Sequence, residues 1–113
     1  MTIIDLPGIV RTTTEGQSED VITTVNSMLK HFLDKQRTVI LAVLPANVDL
    51  ATSEILQRAA KVDPDGNRTI GVLTKPDLVD KGAEGETIKV LRNIKRRLKH
   101  GYFMLKNRSQ KEL

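Results

Sequence analysis

The sequence predicts an α/β fold: a three-layer arrangement in which a parallel sheet carries flanking helices. Short apolar runs alternate along the chain with longer segments whose apolar residues recur at helical spacing. Strands that alternate with helices give parallel sheets with right-handed crossovers. Each apolar run is also followed at once by a polar motif, so the strand ends should lie along one edge of the sheet. The predicted order is β-α-β-α-β-α-β.

The first half of the chain contains two predicted strands around one predicted helix. Thr2-Ile3-Ile4 is the first strand, and the polar residues 11–17 form a loop. Ser18 caps the helix. One apolar face of this helix comprises Val21, Val25, Met28, Leu29, Phe32 and Leu33. Residues 39–44 form a continuous apolar run, which is typical of a strand covered on both faces.

The second half repeats the alternation. Thr52 caps a short helix with a buried stripe, and residues 63–66 have the composition of a turn. The stripe comprises Ile55, Leu56, Ala59 and Ala60. A strand over 69–73 precedes a helix over about 86–99, and residues 102–105 form the last strand. The inward face of the third helix comprises Ile88, Leu91, Ile94 and Leu98.

Length and composition exclude several classes of protein. The 113 residues suffice for one small domain, and no apolar run approaches the ~20 residues that a membrane span needs. The absence of cysteine excludes disulfides and thiolate metal sites, and His31 and His100 are too far apart in sequence to suggest a histidine metal site. No secretory signal is visible, so we expect a cytoplasmic protein.

The net charge of +4 is unevenly distributed. Residues 1–86 hold 9 Lys/Arg and 13 Asp/Glu, whereas residues 87–113 hold 9 Lys/Arg and only Glu112. A basic segment of this kind can bind nucleic acid or anionic lipid. The chain has only three aromatic residues, too few for a stacking platform. We therefore favour a solvated helix face and expect no nucleic-acid partner.

The strand over 69–73 leads directly into Thr74-Lys75-Pro76-Asp77. A carboxylate such as that of Asp77 can accept two parallel hydrogen bonds from N1 and N2 of guanine, which adenine cannot donate. The aliphatic stem of Lys75 can lie along a purine face. A bare four-residue motif is usually only a solvated loop, so this pattern needs support from elsewhere in the chain.

Two further motifs follow predicted strands. Asp5-Leu6-Pro7-Gly8 fits the pattern D-x-x-G, in which the Asp holds a Mg²⁺-bound water and the Gly N–H approaches a terminal phosphate. Asn107-Arg108-Ser109-Gln110 offers amide and guanidinium groups after the last strand. Three such motifs in order, each after a strand, indicate a guanine-nucleotide site more strongly than any one alone.

With these stretches the chain resembles the GTPase domain of the dynamin superfamily, and within it the interferon-induced Mx branch. The resemblance is carried by the three motifs above, by residues 45–51 and 62–71, and by the continuation through Gly82. It covers essentially the whole chain. It implies a fold like that of P-loop NTPases that lacks its first strands, so that residues 1–113 are the later part of a GTPase domain.

The resemblance also implies roles for individual residues. Asp5 would act on Mg²⁺ through water, and Gly8 would bind the γ-phosphate through its backbone. The guanine-binding residues would be Thr74, Lys75, Asp77, Asn107, Arg108 and Gln110. Asp49 and Asp80 match positions that reach the nucleotide of an opposing domain, and for these two the simpler interpretation as solvated loop acids stays open.

One departure from the family bears on activity. The pattern G-x-x-x-x-G-K-[ST], which cradles the α- and β-phosphates, does not occur in the 113 residues, and neither does the switch threonine expected before Asp5. No catalytic residue is therefore assigned. We expect a fragment that binds guanine nucleotide weakly and does not hydrolyse it, whereas the complete protein would hydrolyse GTP to GDP and phosphate.

The resemblance implies further partners. GTP or GDP and Mg²⁺ would be the ligands, and full-length relatives self-associate through their GTPase domains. A membrane, microtubule or viral target would belong to the parent protein and is not encoded here. Two other interpretations remain: a truncated, non-catalytic nucleotide-binding or interaction module, and, ranked last, a nucleic-acid binder that uses residues 89–111.

Overall fold

The computed structural model describes residues 1–6 and 19–108. The chain divides into two compact units, Met1–Thr38 and Val39–Leu113. The first contains the helix α1 (Glu19–Leu33), and the predicted helix after Ser18 is thereby confirmed. The predicted strand Thr2-Ile3-Ile4 is wrong, because residues 1–6 have no regular secondary structure. A strand needs a neighbour to pair its backbone groups, and Ile3 and Ile4 are instead exposed.

The second unit is built on a parallel sheet of three strands in the order β1-β2-β3. The strands are β1 (Ile40–Pro45), β2 (Thr69–Thr74) and β3 (Tyr102–Met104). The helix α2 (Glu54–Val62) connects β1 to β2, and α3 (Glu84–Leu91) lies between β2 and β3. The predicted parallel sheet with flanking helices is confirmed.

The core lies on one face of this sheet. Ala42 and Leu44 of β1, Leu73 of β2 and Tyr102 of β3 are buried together with side chains of both helices. The buried helix residues of this cluster are Leu56 of α2 and Val90 of α3. Alternate residues of each strand point to the same face, so this packing uses half of the apolar side chains in the strands.

The other face of the sheet is open among the residues that the structure describes. Leu41 and Val43 of β1 are exposed, as is Phe103 of β3, and Val72 between them is half-buried. The prediction that residues 39–44 are covered on both faces is therefore wrong for the part of the chain that the structure describes. The apolar run reflects a strand whose second face has no covering element among residues 1–6 and 19–108.

Two helix boundaries differ from their predicted positions. Ser53, not Thr52, caps α2, because the Ser53 hydroxyl accepts a hydrogen bond from the Leu56 N–H at 3.4 Å. Thr52 belongs to a short 3₁₀ turn and donates its hydroxyl to the Asp49 carbonyl. Within the predicted stripe Leu56 and Ala59 are buried, whereas Ala60 is exposed.

The third helix is shorter than predicted, since α3 ends at Leu91 rather than near residue 99. Asn93 follows with φ +62°, in the left-handed region that Asn tolerates better than most residues. Its side-chain amide donates to the Leu98 carbonyl at 2.6 Å and accepts from the Leu98 N–H at 2.8 Å. This clamp turns the chain, so Leu98 packs against the core while Ile94 is exposed.

The predicted turn over 63–66 is confirmed and is organised by a buried carboxylate. The Gly66 N–H donates to the Asp63 carbonyl at 3.0 Å. Asp63 is 7% exposed, and its carboxylate accepts from the Thr69 hydroxyl at 2.6 Å and from the N–H groups of Asn67 and Arg68. Burial acts to raise the pKa of Asp63, but these bonds and the Arg68 charge outweigh it, so the pKa lies below 3.8.

We expect Asp63→Ala to destabilise the second unit by about 3 kcal/mol, because three donors at the turn lose their charged acceptor. Urea unfolding at pH 7 measures this loss. Asp65→Ala is the matched control, since Asp65 is exposed in the same turn and its removal should change stability by less than about 0.5 kcal/mol. Equal effects of the two substitutions would contradict the assigned role of Asp63.

The same carboxylate predicts the direction of a pH effect. The pKa of Asp63 is lowered by folding, so its stabilisation is complete above the unfolded pKa of 3.8 and is lost as the pH falls through the lower folded value. The difference in unfolding free energy between the native chain and Asp63→Ala should therefore be constant from pH 7 to about 4.5 and should narrow below pH 3.8.

Candidate functional site at the carboxyl edge of the sheet

The three strands end side by side at one edge, which we call the carboxyl edge. In the strand register Pro45 lies opposite Thr74, and Leu73 lies opposite Met104. Two backbone bonds extend this pairing beyond the strands: the Ala46 N–H donates to the Thr74 carbonyl at 2.7 Å, and the Leu105 N–H donates to the Leu73 carbonyl at 2.8 Å. The segments after β1, β2 and β3 therefore leave the sheet next to one another.

The segment after β2 is a compact turn held at both ends. Pro76–Leu78 form one turn of 3₁₀ helix, with Leu78 N–H donating to the Lys75 carbonyl at 3.0 Å. The Thr74 hydroxyl donates to the Leu44 carbonyl at 3.4 Å, which ties this turn to the end of β1. Val79 packs against the core at the other end. The turn presents Lys75 and Asp77, both exposed, above the sheet edge.

Lys75 has a strained backbone, with φ +53° and ψ +53°. The following proline disfavours the right-handed helical region for Lys75, so the chain turns through the left-handed region instead. That region costs a residue with a Cβ about 1–2 kcal/mol. Strain of this kind often occurs at binding sites, and here it fixes where the lysine stem begins relative to Asp77.

We expect Lys75→Gly to stabilise the chain by about 0.5–1 kcal/mol, because relief of the left-handed strain exceeds the entropy that glycine loses on folding. Urea unfolding measures the change. Lys81→Gly is the matched control: Lys81 is exposed and does not have a positive φ, so the same substitution should be destabilising there. A loss of stability at both positions would contradict the strain at Lys75.

The guanine-binding residues predicted from the sequence lie at this edge as far as the structure describes them. Thr74 is the last residue of β2, and Lys75 and Asp77 follow it. Asn107 and Arg108 follow β3, exposed and just beyond the Leu105 bond. Neither Lys75 nor Asp77 has a side-chain hydrogen bond to another described residue. Gln110 lies outside the described residues.

Two further predicted residues follow strands at the same edge. The Asp49 carbonyl accepts from the Thr52 N–H at 3.3 Å, and the Asp80 carbonyl accepts from the Ala83 N–H at 3.0 Å. Both side chains are exposed. Exposed acids in these loops suit either interpretation given above, contact with an opposing nucleotide or simple solvation.

The predicted phosphate-side residues precede the second unit in the chain. Asp5 is exposed in the first unit, whereas Gly8 lies outside the described residues. Within residues 1–6 and 19–108, no group of three or more His, Cys, Asp or Glu side chains is placed to hold a metal ion.

Two structural supports of the edge have little or no signal in the sequence. The Thr87 hydroxyl of α3 donates to the Ala46 carbonyl at 3.5 Å, across 41 positions of chain. Such a pair cannot be inferred from local patterns. The strain at Lys75 has a partial signal, because Pro76 restricts the residue before it.

Within the described part of the chain, no helix has the length and apolar character to cross a bilayer.

Comparison with known proteins places these features in a family. The model of the Dynamin family matches residues 1–76. Over all 113 residues the chain is 49% identical to interferon-induced GTP-binding protein Mx2 of Bos taurus and 50% identical to interferon-induced GTP-binding protein Mx1 of Mus musculus. The Mx protein of Epinephelus coioides is 48% identical. The chain spans 16–18% of the length of these relatives.

Proposed function

Because the chain belongs to the dynamin family, we propose that its carboxyl edge binds the guanine base of GTP or GDP within a GTPase domain. The observation that carries the proposal is the pairing of strand ends. The bonds from Ala46 to Thr74 and from Leu105 to Leu73 bring the Lys75–Asp77 turn beside the segment that contains Asn107.

Each residue of this edge has a chemical task in the proposal. The Asp77 carboxylate accepts hydrogen bonds from N1 and N2 of guanine, and the Lys75 stem covers one face of the ring. Asn107 and Arg108 contribute amide and guanidinium donors on the side of β3, and Gln110 completes this set. Thr74 serves as a brace through its bond to the Leu44 carbonyl.

Guanine selectivity of the chain tests this proposal. Asp77 is exposed, so its two bonds to guanine compete with water. Loss of hydrogen bonds to a charged group costs about 1.5–3 kcal/mol, which corresponds to about 10- to 100-fold in affinity. Equilibrium dialysis should show GDP bound at least tenfold more tightly than ADP. Equal binding of the two nucleotides would contradict a guanine-reading edge.

Hydrolysis belongs to the complete protein in this proposal. The reaction would convert GTP to GDP and phosphate, mainly by positioning and by electrostatic stabilisation of the transferred phosphoryl group. The 113 residues contain no glycine-rich phosphate loop, so we expect no phosphate release above background from this chain with GTP and Mg²⁺. Metal-dependent phosphate release by the purified chain would contradict that expectation and would support a catalytic rather than a binding role.

A further inference from the structure

A pocket lies at the amino edge of the sheet, at the opposite end of the strands from the carboxyl edge. Thr69 and Tyr102, the first residues of β2 and β3, lie in its wall together with Leu56 and Ala59 of α2. Its volume is about 220 Å³. Cofactor and drug-sized ligands occupy about 300–1,000 Å³, so this pocket suits a single side chain. We call it the amino-edge pocket.

Two arginines give one wall of the pocket a positive charge. Arg96 and Arg97 are exposed lining residues, and neither forms an ion pair with another described residue. Lys95 beside them is instead bonded to Glu86. The lining also contains Asp63, but the Asp63 carboxylate already accepts bonds from Thr69, Asn67 and Arg68.

The arginine segment is held in shape before any ligand binds. Arg96 has φ +47°, and its carbonyl accepts the Tyr102 hydroxyl at 2.7 Å. Two hydrogen bonds between the Asn93 side chain and the Leu98 backbone join the two ends of the same segment. A rigid loop loses less entropy on binding than a loop that must first order itself.

We propose that the amino-edge pocket binds an acidic segment of a partner protein, with one apolar side chain in the pocket and neighbouring carboxylates on Arg96 and Arg97. The apolar residues of the lining suit the apolar side chain of such a segment, and the two exposed arginines suit its carboxylates. Guanidinium groups bind carboxylates through paired N–H donors, which favours this chemistry over a diffuse charge contact.

Nucleic acid suits the pocket less well. Single strands bind to exposed aromatic rings, on which their bases stack. Tyr102 is the aromatic residue of the lining, but this residue is only 6% exposed. The pocket also lies at the opposite end of the strands from Asp77, so the proposal does not depend on the guanine site.

A defined peptide tests this assignment by fluorescence anisotropy with the full chain. The probe is a labelled heptapeptide with a central leucine between three glutamates on each side. Arg97→Glu should weaken its binding at least tenfold, and Lys99→Glu, an equal charge change outside the lining, by about twofold at most. Ala60→Leu should also weaken binding, because it fills the pocket without altering charge.

Three results would overturn the proposal. One is no measurable binding of the peptide, and another is an equal loss with Arg97→Glu and Lys99→Glu while Ala60→Leu has no effect. The third is tighter binding of a labelled 20-nucleotide single strand that displaces the peptide, which would assign the surface to nucleic acid. Ala60 and Arg97 are exposed, so urea unfolding should show that both variants fold like the native chain.

Discussion

Replacing Gly71 with alanine should destabilise the chain by about 2–3 kcal/mol, because the added methyl group overlaps the ring of Tyr102. Gly71 lies opposite Tyr102 in the register of β2 and β3, and the ring covers its α-carbon. Tyr102 cannot easily move away. Its hydroxyl is bonded to the Arg96 carbonyl, and burial raises the pKa of that hydroxyl.

The matched control for this prediction is Gly85→Ala. Gly85 lies within α3, and a Cβ there meets nothing within 4 Å. Alanine is the better helix former, so this substitution should leave stability unchanged or raise it by up to about 1 kcal/mol. Urea unfolding of both variants measures the contrast. If Gly71→Ala unfolds within about 0.5 kcal/mol of the native chain, the close approach of Tyr102 to β2 is wrong.

The second large effect concerns Asp77. In Asp77→Asn the side chain keeps one acceptor but gains an amide donor, which faces a donor of guanine. Xanthine carries an oxygen at position 2 in place of the amino group, so it matches the asparagine with one donor and one acceptor. We expect Asp77→Asn to weaken GDP binding at least tenfold and to bind xanthosine diphosphate more tightly than GDP.

Asp65→Asn is the control for that exchange of specificity. Asp65 is exposed in the turn that precedes β2, at the other end of the strand, and its neutralisation removes the same charge. Isothermal titration with GDP, xanthosine diphosphate and ADP compares the variants. A similar loss of GDP binding in both would mean that general electrostatics, and not reading of the base, is responsible.

Much of the second unit follows from local pattern. The apolar runs at 39–44 and 69–73 became paired strands, and the composition of residues 63–66 correctly indicated a turn. Local pattern failed where tertiary contacts decide. The helical spacing of residues 86–99 continues past Leu91, but the clamp from Asn93 to Leu98 ends the helix earlier.

The prediction of a strand at Thr2-Ile3-Ile4 failed for a different reason. Apolar, β-branched residues favour a strand, yet a strand forms only beside a partner that pairs its backbone groups. Within the described residues the sheet comprises β1, β2 and β3. The exposed side chains of Leu41, Val43 and Phe103 reflect the same missing contacts on the second face of the sheet.

The candidate site was predictable to the extent that it follows strands. Parallel pairing necessarily brings the residues after β2 and β3 to one edge, so Asp77 and Asn107 could be placed there from the order of elements alone. The left-handed backbone of Lys75 and the bond from Thr87 to Ala46 depend on contacts between distant segments. Gly8 and Gln110 remain predictions, since both lie outside the described residues.

Amide chemical-shift mapping of the ¹⁵N-labelled chain during titration with GDP and with ADP tests most directly whether the segments after β2 and β3 form one guanine site. We expect GDP to shift the amides of Lys75 and Asp77 together with those of residues 106–108, and ADP to leave both groups almost unchanged. The two groups should follow one binding curve, because they flank one base. Shifts that arise with both nucleotides, or that centre on the basic residues 92–100, would contradict a guanine site at the carboxyl edge.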